Sequence, residues 1–152
     1  MISTQRRLRF CICLVVCMLI FIWGNSLLPA EISQNFSDWV KTVLLWILPG
    51  DGNSHQEGSG LLRKIAHFTE FTALGLLLCW LLGMLKKSIH LPMFWGFAVA
   101  CIDETIQIFV PGRGPGLRDV LIDGCGVLTG VILLRIGYYV RKRKQPNHLE
   151  DM

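Results

Sequence analysis

Apolar residues along the chain gather in four runs, and polar residues collect near the ends of those runs and in the segments between them. A membrane-crossing helix needs about 20 mainly apolar residues. Residues 8–28 reach that length, interrupted by Arg9 at the start and by Asn25 and Ser26 near the end, and so do residues 61–85, 91–110 and 117–140. The segment 36–48 has a different pattern. Phe36, Trp39, Val40, Val43, Leu44 and Ile47 recur at helical spacing, while Asp38, Lys41 and Thr42 fall on another face. This segment is too short to span, and its two tryptophans suit a helix lying in the membrane interface. The glycine-rich stretch that follows, up to Gly60, reads as an outer loop. The expected fold is an all-α integral membrane protein, a four-transmembrane-helix bundle with a short amphipathic interfacial helix in the first outer loop. A single membrane domain is expected over 1–145, with a short polar cytoplasmic tail at 146–152.

Composition sharpens this picture. Of the 152 residues 52% are apolar and 17% charged, whereas soluble domains carry roughly 25% charged residues. So few charges argue against a disordered chain, a nucleic-acid binder or an ordinary soluble enzyme. The net charge of +4 is explained by position. Arg6, Arg7, Arg9, Lys86, Lys87 and Arg141 to Lys144 all sit beside the ends of apolar runs. Lys and Arg favour the cytoplasmic side, so four spans place both termini in the cytoplasm and residues 29–60 and 111–116 outside. The first run is long for the core of a cleaved signal, and Leu28-Pro29-Ala30 is a poor cleavage site, so it reads as a span. The six cysteines all lie within apolar runs and read as small core residues.

Ionisable groups inside a membrane span are costly and mark functional positions by default. Lys64, His67 and Glu70 follow one another at steps of three, on one helix face. Asp103, Glu104 and Gln107 lie in the third run, and Arg118, Asp119 and Asp123 open the fourth. At a rise of about 1.5 Å per residue, His67, Glu70, Asp103, Glu104 and Asp123 all lie roughly 9–13 Å from the outer ends of their runs. Three helices therefore present acids at one level of the outer leaflet. The turn Pro111-Gly-Arg-Gly-Pro-Gly116 makes the third and fourth runs antiparallel neighbours and sets Arg113 beside this level. Carboxylates so close need protons, arginines or a cation to balance them.

Three segments carry a resemblance to a known family. Arg63-Lys-Ile-Ala-His-Phe-Thr-Glu-Phe71, Asp103-Glu-Thr-Ile-Gln-Ile-Phe-Val-Pro-Gly-Arg113 and Arg118-Asp-Val120 resemble the VanZ-like membrane proteins, and Ser26-x-x-Pro29 and the Gly124–Gly130 region fit the same pattern. The resemblance runs from about Arg9 to Tyr139. It places the family's shared positions on Lys64, His67, Glu70, Asp103, Glu104, Gln107, Arg113 and Asp119. Asp123 departs from it, since the family pattern usually has asparagine there. The family is named for a member linked to teicoplanin resistance in bacteria, so the resemblance implies a multi-pass protein of the bacterial cell membrane and supplies no reaction.

Three readings of the cluster stand side by side. In the first, an anionic envelope lipid or cell-wall precursor binds at the outer leaflet, held by Lys64, Gln107, Arg113 and Arg118. In the second, a membrane enzyme uses His67, Glu70, Asp103, Glu104 and Asp119 as acid, base or orienting groups. In the third, the same residues are a buried polar network that joins the helices, with Gly126-x-x-x-Gly130 packing them closely. There is no HExxH, nucleophile elbow or P-loop. No cofactor is expected, and a divalent cation at the His67 and acid cluster, Mg²⁺ or Mn²⁺ rather than zinc, is the alternative.

Overall fold

The computed structural model describes residues 4–33, 35, 39, 58–114 and 116–144. Four long helices account for most of them: α1 (Thr4–Ser26), α2 (Gly58–Met84), α3 (Leu91–Ile108) and α4 (Leu117–Lys144). No strand occurs among the described residues. The expected interfacial helix at 36–48 lies outside them, except for Trp39, which is helical and exposed. The polar tail at 146–152 also lies outside them.

Proline and local hydrogen bonding set the helix ends. Pro29 cannot donate a backbone hydrogen bond and disfavours helical geometry at Leu28, so α1 stops at Ser26. Pro92 sits in the first turn of α3, where a missing N–H costs nothing, and Pro111 follows its end. After α2 the chain reverses through Lys86 at φ 52°, while Lys87 N–H donates to the Leu82 carbonyl. This is the helix-ending pattern usually completed by glycine.

The helices alternate in direction, so the ends of α1 and α3 and the starts of α2 and α4 share one end of the bundle. The Arg6–Arg9 region, Lys86–Lys87 and the end of α4 lie at the other. α2 and α4 run parallel and touch backbone to backbone. A Cβ on Gly126 would lie 2.7 Å from the Phe68 carbonyl oxygen, one on Gly130 would fall on the Thr72 carbonyl, and one on Gly75 on the Val127 carbonyl. Gly96 gives α3 the same access to the side chain of Val127. These small residues let the helix axes approach and increase van der Waals contact, the main source of helix association in lipid.

Each helix buries one stripe. The stripes run through Cys11, Val15 and Ile22 on α1, Phe71, Leu74 and Leu78 on α2, Gly96, Val99 and Ala100 on α3, and Val120, Val127 and Val131 on α4. The outer faces carry Phe10, Ile20, Phe94, Trp95, Leu121, Ile132 and Leu133, all exposed. A surface this apolar suits lipid rather than water. α1, α2 and α4 are each long and apolar enough to cross a membrane. The expectation for the cysteines needs correction: only Cys11 is buried, and Cys13, Cys17, Cys101 and Cys125 are on the exposed faces. A cysteine is apolar enough to meet lipid, so its place in an apolar run does not fix the face it occupies.

Candidate functional site

At the end of the bundle away from the basic clusters, each buried stripe turns polar. On α1 the stripe ends in Ser26, on α2 it begins with His67, on α3 it ends in Asp103 and Gln107, and on α4 it contains Asp123. Ser26, Asp103 and Asp123 are fully buried, and His67, Glu104 and Gln107 nearly so. The polar centre is thus the continuation of the apolar core, formed where four buried faces meet.

His67 Nδ1 lies 3.7 Å from Asp123 Oδ1 and 3.9 Å from Asp103 Oδ2. Gln107 Nε2 donates to Asp103 Oδ2 at 2.9 Å and to Ser26 Oγ at 3.2 Å, tying α3 to the end of α1. Glu70 is turned toward α1, where Asn25 Nδ2 donates to its Oε1 at 2.9 Å. Glu104 Oε2 accepts the Gly116 N–H at 2.9 Å. It thereby satisfies a backbone donor just ahead of α4 and closes the α3–α4 turn. Among the described residues no lysine or arginine comes within ion-pair distance of Glu70, Asp103, Glu104, Asp119 or Asp123. Several buried oxygens also lack a hydrogen-bond partner: Asp103 Oδ1, Glu104 Oε1, Glu70 Oε2 and both oxygens of Asp123.

Arg113 lies near the acids, sharing the groove with Glu70 and interacting electrostatically with Asp103, Glu104 and Glu70, but its hydrogen bonds go to backbone. Its Nε donates to the Leu28 carbonyl at 3.1 Å and its Nη2 to the Asn25 carbonyl at 2.9 Å, satisfying carbonyls freed at the end of α1. Ala30 N–H donates to the Pro111 carbonyl in the same region, and Gly112, at φ 75°, passes close to Ala30. Burial and the neighbouring Arg63 lower the Arg113 pKa from its ordinary value. The guanidinium stays charged but gives up some of its hydration.

Two cavities border this centre. The smaller, about 10 Å³, is bounded by Arg63, Lys64, His67, Glu104, Gln107, Asp119, Ile122 and Asp123. The larger, about 340 Å³, is a groove lined by Phe21, Asn25, Leu28, Ile32, Ser33, Arg63, Ala66, His67, Glu70 and Arg113. His67 and Arg63 line both.

Of the residues singled out by sequence, His67, Asp103 and Gln107 meet at the centre, Glu70 and Arg113 lie at the groove, and Glu104 and Asp119 border the small cavity. Lys64 also borders it, though largely exposed, while Arg118 is exposed and lines neither space. Ser26 and Asn25 also take part, although neither is among the site residues that the sequence singles out. Extending the α1 stripe by one turn from Ile22 reaches Ser26, and that spacing was the available signal.

The described residues therefore form a helical membrane protein with a buried ionisable centre at one end of an apolar bundle. The chain belongs to the VanZ/LLP1 family, which it matches over residues 10–138. No curated protein and no solved structure matches it.

Proposed function

We propose that the protein binds an anionic, lipid-linked component of the bacterial cell envelope at the outer leaflet, with the headgroup near Arg63 and Arg113 and the chain along the groove's apolar lining. The groove's composition carries this reading, because Phe21, Leu28, Ile32 and Ala66 share it with those two arginines. Its volume of about 340 Å³ falls within the range of ligand pockets. Arg113 and Arg63 oppose one another electrostatically, and an anion between them relieves that repulsion. The orientation follows from the basic clusters at the far end, which favour the cytoplasm. α3, with 18 residues, extends about 27 Å and completes the fourth span. A reporter fused after Lys144 should be active in the cytoplasm and one inserted at Ser54 outside, and the reverse at either position refutes this topology.

The direct test uses full-length protein in detergent. It should retain a phosphate-bearing anionic lipid in preference to a zwitterionic one, and a folded Arg63→Ala/Arg113→Ala variant should lose that preference. Equal retention of both lipids overturns the reading. Expression in a susceptible bacterium should also raise the inhibitory concentration of a glycopeptide such as teicoplanin. An enzymatic reading draws support from His67, which lines the groove and is flanked by Asp103 and Asp123. Mass spectrometry of envelope lipids from cells with and without the protein separates the two, since a binder leaves the lipid pool unchanged and an enzyme alters it.

A further inference from the structure

We propose that His67, Asp103 and Asp123 hold one hard divalent cation inside the bundle. The three side chains come from α2, α3 and α4, and each offers a ligand atom within 4.8 Å of the others. Metal–ligand bonds of about 2.0–2.2 Å allow two ligand atoms to stand up to roughly 4.4 Å apart. The 3.7 and 3.9 Å separations from His67 Nδ1 fall inside that limit.

Proximity of acids alone would not define a site. The second observation is the state of their buried atoms: both carboxylate oxygens of Asp123, one of Asp103 and His67 Nδ1 lack any hydrogen-bond partner. Asp103 and Asp123 are fully buried. A carboxylate oxygen without a hydrogen bond in such surroundings is strongly disfavoured, and among the described residues no lysine or arginine lies within ion-pair distance of either aspartate. Two carboxylates balance one divalent ion in charge. The cavity of about 10 Å³ beside His67 and Asp123 has room for about one water as a further ligand. Gln107 supports the arrangement from outside. Its donation to Asp103 Oδ2, the oxygen 3.9 Å from His67 Nδ1, orients the carboxylate as an outer hydrogen bond orients a ligating group. The donor set of two carboxylates and one imidazole suits Mn²⁺, which accepts oxygen ligands readily and tolerates nitrogen. The site shares His67 with the arginine groove, but Mn²⁺ uptake and lipid preference are read with different variants, so the failure of either proposal leaves the other standing.

The test uses full-length protein in detergent, stripped with EDTA and titrated with Mn²⁺ while the electron paramagnetic resonance signal of the free aquo ion is followed. The wild type should remove one equivalent of Mn²⁺ per chain and unfold at a higher temperature when loaded. Asp123→Asn is isosteric and removes a buried charge, so it should fold at least as well in EDTA while losing tenfold or more in Mn²⁺ affinity. Asp103→Asn should also lose affinity. Absence of Mn²⁺ uptake by the wild type overturns the proposal, and so does unchanged affinity in both variants.

Discussion

The approach of α2 to α4 can be tested with two glycines on one helix. An alanine at position 130 places its Cβ on the Thr72 carbonyl, 2.7 Å from Leu76 N and 3.1 Å from the Gly75 carbonyl carbon. All three are backbone atoms, so no side chain can rotate away. Ordinary contact begins near 3.4 Å, so relief requires the helices to part by roughly 1 Å. A gap of that size forfeits a quarter to a half of the attraction between facing atoms, and overpacking typically costs about 1–3 kcal/mol. Gly137 is two turns further along α4 and a Cβ there meets nothing within 4 Å. Gly137→Ala should therefore gain about 0.5–1 kcal/mol from helix propensity alone. Unfolding of each variant in detergent, followed by tryptophan fluorescence, should show Gly130→Ala destabilised and Gly137→Ala neutral or stabilised. Because α2 carries His67 and α4 carries Asp123, the Gly130 variant should also disturb the polar centre. Equal shifts of the same sign in both variants would refute the close backbone contact.

Gln107→Leu removes the donor to Asp103 and Ser26. It should destabilise the fold by about 1–3 kcal/mol, measured by the same unfolding assay, because a buried carboxylate oxygen loses its only hydrogen bond. Glu104→Ala should cost about 0.5–2 kcal/mol by leaving the Gly116 N–H without its acceptor, whereas Glu104→Gln, which keeps a carbonyl oxygen there, should cost less. A larger loss in the glutamine variant would show that the negative charge matters more than the turn. Arg113→Ala should destabilise by about 1.5–3 kcal/mol through its two carbonyl contacts, and Arg113→Lys should recover only part, since one ammonium does not reproduce the guanidinium's paired donors. Full recovery by lysine in the unfolding assay would mean that charge alone suffices.

The sequence by itself determined the helices and their levels. Runs at 8–28, 61–85, 91–110 and 117–140 correspond to α1 through α4 within a few residues, because a bilayer demands long apolar segments and proline marks their ends. Counting along each helix also placed His67, Asp103 and Asp123 at one depth, since the rise per residue is fixed. Rotation about each helix axis is a different matter. Whether Glu70 faces His67's partners or Asn25, and whether Arg113 meets a carboxylate or the carbonyls of Asn25 and Leu28, depends on which faces pack together. Gly75, Gly126 and Gly130 lock α2 against α4 and turn His67 toward Asp123, while Gln107 reaches Ser26 only because α3 also lies against α1. A helix with apolar residues on every side gives no periodic signal for its buried face, so in this bundle only the packing of the four helices decides which polar side chains meet.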